Sequence, residues 1–272
     1  MLTISRNIVK GLIKKARSKK ERFERISWIS KKWLKHEEDQ ALKTYKISNL
    51  TISYKRPYEL LHSYEDIFNN EIYRFTCENQ APVILDCGSN IGLAALYFKS
   101  IFPLSELHCF EPDPNNFSLL EKNLTQNKCT NFHLHQKAIW KDNKGISFMA
   151  MGSEGSRIAE GNSAQTVSMQ TQSFSDLLNG FQKIDLLKLD IEGAEKTVLL
   201  EEGINFNNVE NLFIEYHGKA EETATLREII QLVEKNGFKT YIKMAADHLT
   251  SPFYQKSTGS SWDVQLNIFC YK

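Results

Sequence analysis

Residues 83–92 read VILDCGSNIG, and their order decides the fold. Val83, Ile84 and Leu85 form a short apolar run, the pattern of a strand buried on both faces. Asp86 ends the run. Gly88 and Gly92 bracket a tight turn, and residues 93–98 resume with helical spacing. Strand, glycine turn and helix form the opening unit of a nucleotide-binding α/β sheet. Gly88 would let the backbone pass close to a ligand, and Gly92 would let helix and strand pack closely.

The number of glycines separates cofactor classes. A dinucleotide fingerprint, G-x-G-x-x-G, uses three glycines to cradle a pyrophosphate. Here the spacing is Gly88-x-x-x-Gly92, with Ser89 and Asn90 inside the turn and Asp86 just before it. A carboxylate beside the turn would repel a pyrophosphate and suits a cationic, amino-bearing ligand. S-adenosylmethionine, with an ammonium group, a sulfonium and no phosphate, meets that description. The stretch alone also fits a purely structural glycine turn. A nicotinamide-dependent oxidoreductase is the competing enzymatic reading, weakened by the missing middle glycine.

A second element favours the adenosyl ligand. Residues 107–110 are apolar and end in Glu111-Pro112-Asp113-Pro114. An acidic residue about 20 positions past the glycine turn, at the end of the second strand, is placed to hold two ribose hydroxyls. Glu111 has that place. Asp113 is a further cofactor candidate, although Pro114 also makes it a natural helix cap. The third strand, around Phe132 and Leu134, exits through Ala138 and Ile139, where backbone groups and apolar walls would hold adenine.

The runs DCGSNIG, FEPDP, LLKLDIEGAE (186–195) and FIEYH (213–217) together closely resemble the FkbM-type S-adenosylmethionine-dependent methyltransferases. The resemblance spans about residues 57–272, including the lead-in at Glu71-Ile72-Tyr73. It implies O-methylation of a sugar, polysaccharide or secondary-metabolite hydroxyl, with nitrogen acceptors left open.

The expected architecture is a Rossmann-like, doubly wound α/β sheet of about seven strands, the last pair antiparallel. Residues 1–56 read as a basic helical arm and short lead-in, and 57–272 as the methyltransferase domain. The arm is distinctive. Residues 1–35 hold twelve Lys and Arg against two Glu, a net +10 that leaves −9 for the remainder of a chain whose total is +1. Ile4, Ile8, Leu12 and Ile13 recur at helical spacing, and Phe23, Ile26, Trp28, Ile29 and Trp33 extend the pattern. Either the helix lies on an anionic membrane, as a non-catalytic docking protein would also use it, or it packs its apolar stripe on the body. No recognition fold for nucleic acid is visible. No apolar run is long enough to span a bilayer and no signal-peptide pattern opens the chain, so a cytoplasmic location is expected. Five cysteines with no C-x-x-C pair argue against a disulfide framework or a cysteine zinc site.

Catalytic candidates cluster at later strand ends. Asp190 stands at the carboxyl end of the fourth strand, where open α/β sheets bind ligands. Glu192 follows it, and His217 ends the fifth strand. His217 is the first candidate for general base, because its ordinary pKa suits neutral pH, and Asp190 is the second. A divalent ion held by Asp190, Glu192 and His217 is compatible with the donor types. The spacing does not demand one, and no metal is assigned. Lys188, inside the strand, needs a carboxylate partner. Tyr73 could cover the methionine end of the cofactor or be an ordinary half-buried aromatic. The GSEGSRIAEGNSA loop could close over an acceptor, with Arg157 meeting an anionic group.

Overall fold

The apolar run at 83–87 does become a central strand, and the chain winds outward from it in both directions. The structure, a computed structural model, describes residues 22–149, 157–158, 166–247, 249, 251–256 and 261–272. A short helix, α1 (Trp28–Leu34), leads into a hairpin of β1 (Lys43–Ile47) and β2 (Leu50–Tyr54). Helix α2 (Pro57–Tyr64) passes into a π-helical turn, Glu65–Asn69. Then come β3 (Val83–Cys87), α3 (Leu93–Ile101), β4 (Glu106–Phe110), α4 (Pro114–Gln126) and β5 (Phe132–His135). Four short strands follow: β6 (Ala138–Trp140), β7 (Ile146–Met149), β8 (Arg157–Ile158) and β9 (Thr166–Met169). The remainder is β10 (Thr171–Ser173), α5 (Phe174–Asn179), β11 (Leu186–Leu189), α6 (Glu195–Leu199), β12 (Asn211–Gly218), α7 (Thr223–Lys235), β13 (Lys239–Ala246) and β14 (Val264–Tyr271).

The main sheet has seven strands in the order β13-β14-β12-β11-β3-β4-β5. Strands β5, β4, β3, β11 and β12 are parallel, and β14 enters antiparallel between β12 and β13. The expected doubly wound sheet and its antiparallel last pair are both present. Chain order reverses between β3 and β11, so a crevice opens above their carboxyl ends. Residues alternate across the sheet as strand geometry requires. Ile84 and Leu186 face one core, shared with α3, α4 and the β1–β2 hairpin, whereas Leu85 and Leu187 face the other, shared with α5, α6 and α7. Burying each such side chain contributes about 1.5–3 kcal/mol.

Three expectations change. The third strand and its exit are two elements, because β6 leaves the main sheet and pairs in parallel with β10. Residues 59–75 carry helical spacing, but the helix ends at Asn69. Glu71 then adopts φ +49°, turning Tyr73 inward under Phe213 at a 4.9 Å ring separation. Residues from Phe23 to Tyr54 are not a separate arm in packing terms. Ile26, Leu34, Leu50, Ile52 and Tyr54 enter the first core, and Asn123 of α4 bonds both backbone groups of Ser53. On α1, however, the apolar stripe faces outward: Trp28, Ile29 and Trp33 are about seven-tenths exposed. Residues 1–21 and most of the Gly/Ser-rich loop lie outside the described residues. No helix among the described residues is long and apolar enough to cross a membrane.

Candidate active site

A cavity of about 430 Å³ lies over the carboxyl ends of β3, β4, β11 and β12, within the roughly 300–1,000 Å³ of small-molecule sites. Its floor is the glycine turn. Gly88 has φ +87°, and a Cβ there would lie 1.7 Å from the Asp190 carbonyl oxygen. A side chain at this position would therefore force β3 and β11 apart. Asn90 also lines the cavity with left-handed backbone at φ +48°, and its Oδ1 is buried without a hydrogen-bond partner.

One end of the cavity is walled by Phe110, Pro112, Lys137, Ala138 and Ile139, with Glu111 between wall and floor. Glu111 is fixed by its own backbone surroundings: Asn90 N donates to Oε2 at 2.8 Å and Asp113 N to Oε1 at 2.9 Å. Burial nevertheless pushes its pKa up to about 7. The orphaned Asn90 oxygen and the partly bonded Glu111 carboxylate offer acceptors to the hydroxyls and ammonium of an adenosyl ligand, and the residues present fit one.

The opposite end gathers Asp190, Glu192, Glu215, Gln265 and Asn267 beneath a rim from α2 and its π turn, with Tyr58, His62 and Asp66. Glu192 sits in left-handed backbone at φ +54°. Glu195 braces that turn from behind by accepting Ile191 N and Gly193 N, both at 2.9 Å, and His217 Nδ1 approaches it at 3.2 Å. Glu195 is thus more than a helix-dipole charge, because it shapes the loop that presents Glu192.

Gly88, Asn90, Glu111, Ala138, Ile139, Tyr73, Asp190 and Glu192 line the cavity, whereas Asp86, Gly92, Asp113 and His217 stand behind its wall. Asp86 is fully buried, its Oδ1 3.2 Å from Lys188 Nζ. The same ammonium is 3.2 Å from Asp190 Oδ2 and donates to Gly88 O at 2.8 Å. Asp86 therefore anchors a cation under the floor rather than meeting a ligand. Gly92 lets α3 pack against α4, since a Cβ would come within 2.7 Å of Leu120 Cδ1. Asp113 caps α4 through Asn115 N and Asn116 N, which a capping carboxylate does at a gain of about 1 kcal/mol.

His217 needs the largest correction. It is 1% exposed, with Nε2 3.7 Å from both Glu192 and Glu215. Burial disfavours its charge, but Glu195 and then Glu192 outweigh that and raise its pKa to about 10. The raised pKa favours the imidazolium, which has no lone pair for a substrate proton. Gln265 Nε2 lies 2.9 Å from His217 Nε2 and donates to Glu215 Oε1 at 3.0 Å. The Lys188 cage and the Glu215 and Gln265 contributions depend on strand pairings far apart in sequence. The acidic residue at 215 was visible at a strand end, but its partners Gln265 and Asn267 were not.

The sequence model described as "Methyltransferase FkbM domain" matches residues 86–240, more than half of the chain. The chain belongs to the FkbM methyltransferase family. This FkbM-family chain is 24% identical over 208 residues to Methyltransferase 1 of Beauveria bassiana, covering 65% of this chain and 82% of that one. It is 27% identical to the 2-O-methyltransferase NoeI of Sinorhizobium fredii, covering 57% and 72%. It is 23% identical to the 31-O-demethyl-FK506 methyltransferase FkbM of Streptomyces tacrolimicus, covering 73% and 89%. Among solved structures, M. jannaschii TYW2 in complex with AdoMet aligns at 11% identity and a TM-score of 0.45, covering 87% of this chain and 89% of that one. The FkbM-family enzyme is an S-adenosylmethionine-dependent methyltransferase, and the oxidoreductase and non-catalytic readings are not favoured.

Electrostatics divide this FkbM-family site. Burial raises the pKa of Glu192 well above the usual carboxylate range, with His217 opposing and Asp190 adding to the rise. Burial and then Asp190 raise that of Glu215. Lys188 stays charged, since Asp190 and Asp86 overcome its desolvation. The cysteines are free, and burial raises the thiols of Cys87 and Cys109, so neither supplies a thiolate.

Proposed function

We propose that this enzyme O-methylates a hydroxyl of a small-molecule or glycan acceptor, with Glu192 as the general base. The observation that carries the reading is the Glu192 carboxylate, held at the cavity wall in left-handed backbone with its pKa raised. Backbone strain of this kind persists only where its surroundings enforce it, and it clusters at functional sites. A base whose proton affinity is raised above that of an ordinary carboxylate accepts a proton more strongly in the transition state. Two relatives carry O-methyltransferase activity in their descriptions, which supports an oxygen acceptor.

The remaining roles follow from position. Glu111 would bind the ribose hydroxyls, Ala138 and Ile139 would flank adenine, and Tyr73, Asn90 and Gly88 would enclose the methionine end. Asp190 would face the methyl group and orient the acceptor. S-adenosylmethionine supplies the electrophilic methyl; the protein's work is alignment and removal of the acceptor proton. His217 acts as a positioning cation, holding Glu192 and Glu215 toward the cavity. The test is transfer from labelled S-adenosylmethionine to extracted acceptors, with mass spectrometry of the product. A Glu192→Gln variant transferring at the wild-type rate overturns the assignment of the base.

The N-terminal segment is a separate matter. We infer contact with an anionic membrane surface from its net charge and from the exposed Trp28, Ile29 and Trp33. Tryptophan favours the bilayer interface, and basic residues favour anionic lipid. Co-sedimentation with anionic vesicles should exceed that with zwitterionic ones and fall in a Trp28→Ser/Trp33→Ser variant. Equal sedimentation in all three arms removes the idea.

A further inference from the structure

Away from the cavity, a second group of ligating side chains collects on one face of β4 and β5. Register places His108 opposite His133 and Phe110 opposite His135. Glu106 precedes His108 by two positions and so shares its face. His108 Nε2 lies 3.0 Å from Glu106 Oε1, and its Nδ1 lies 3.4 Å from His135 Nε2. The His108 and His133 rings stack at 4.4 Å, and His135 stacks on Phe110 at 4.4 Å. One ligating atom from each of Glu106, His108 and His133 lies within 4.8 Å of the other two. The methyl-transfer chemistry uses none of these residues.

We propose that Glu106, His108 and His133 form a binding site for a divalent transition-metal ion of the zinc type. Two imidazoles and one carboxylate suit zinc and its first-row neighbours, whereas magnesium and calcium prefer all-oxygen sets. Three protein ligands leave a fourth position for water. Adjacent strands run about 4.8 Å apart, so opposed histidines close on one ion by side-chain rotation alone. Metal-bound histidines characteristically engage their second ring nitrogen with another acceptor, which fixes ring orientation. His135 is placed to do this for His108. Strand β5 is the sheet edge, His133 is exposed, and Glu106 keeps 43% of its side-chain surface, so an ion can enter from solvent. An ion bound here would staple the edge strand to β4. These are the two strands whose exits carry Glu111 and Ala138–Ile139.

The test uses the untagged, metal-stripped full-length chain. Calorimetric titration with ZnCl₂ should show one ion per chain, and zinc but not magnesium should raise the melting temperature. His133→Ala and Glu106→Gln should each weaken zinc binding by at least about tenfold, with metal-free melting temperatures unchanged because both side chains reach solvent. Asp190, Glu192 and His217 are the other group of suitable donors among the described residues, so Glu192→Gln serves as the control and should bind zinc like the wild type. Wild-type zinc affinity in His133→Ala, or its loss in Glu192→Gln, overturns the proposal.

Discussion

The two ends of the cavity are acidic for different reasons. At the glycine-turn end one carboxylate, Glu111, is cradled by two backbone donors, Asp113 two residues on and Asn90 in the adjacent glycine turn. At the other end Asp190, Glu192 and Glu215 crowd together, and Glu195 and His217 support them from behind. The first arrangement suits the proposed role of a receptor for hydroxyl groups: donors fix the carboxylate and leave lone pairs for a ligand. The second raises the proton affinity of Glu192 and Glu215 by burial and by repulsion from Asp190, which suits proton transfer. Substitutions at the two ends should therefore separate catalysis from cofactor binding.

The largest expected effect is at the crowded end. Glu192→Gln should lower kcat by roughly 10²–10⁴-fold, the usual contribution of a positioned base, while the Kd for S-adenosylhomocysteine stays within about twofold. Steady-state assays and calorimetry read the two quantities separately. A parallel loss of cofactor affinity would erase the distinction between the ends. Because the base must be deprotonated, the wild-type rate should climb with pH through a value above the ordinary carboxylate range and then level off. A rate independent of pH between 5 and 9 would move the base elsewhere.

Next in size is a substitution under the floor. Asp86→Asn leaves Lys188 buried with Asp190 as its remaining carboxylate, and breaking a buried ion pair costs about 3–5 kcal/mol. Urea denaturation should show a loss near the lower figure. A variant of full stability and reduced cofactor affinity would return Asp86 to the ligand. Glu111→Gln should do the reverse, weakening S-adenosylhomocysteine by roughly 10–100-fold, the worth of a charge-assisted hydrogen bond, without loss of stability.

These contrasts also explain what could be read from the sequence. The glycine-turn end is local: residues 83–92 and 107–114 are short segments in which strand, turn and acidic end follow each other. The strand at 106–110 and the helix opening at Leu93 fall where their apolar spacing puts them. Residue type did not reveal which side of the wall a carboxylate takes. Asp86 and Glu111 both end a strand, yet Lys188, from another strand, claims Asp86. His217 looked like a base because its ordinary pKa suits one, and only the folded chain brings Glu195 against its Nδ1. Glu215 and Gln265 meet through β12–β14 pairing across 50 residues of chain, a contact without a local signature. The inward turn of Tyr73 likewise depends on Glu71 leaving helical backbone.

The smallest effect is also the most diagnostic of the glycine-turn end. Glu111 has a pKa near 7 in the free protein, against about 4.3 when unperturbed. A folded-state value raised above the unfolded one means that burying this carboxylate costs stability. The cost is absent below about pH 4 and complete once pH has risen past 7. Ribose hydroxyls donating to Glu111 favour its ionised form and pull the pKa back down. Binding S-adenosylhomocysteine at pH 7 should therefore release about half a proton, the fraction carried by a group at its own pKa. The release should approach zero near pH 9, where the group is already ionised in the free protein. Calorimetry in buffers of different ionisation enthalpy measures this as the slope of observed enthalpy against buffer enthalpy. Glu111→Gln should flatten that slope, whereas Glu192→Gln should leave it in place. Proton uptake by the wild type, or a slope that survives in Glu111→Gln, would mean that the ligand's hydroxyls are held by some other group.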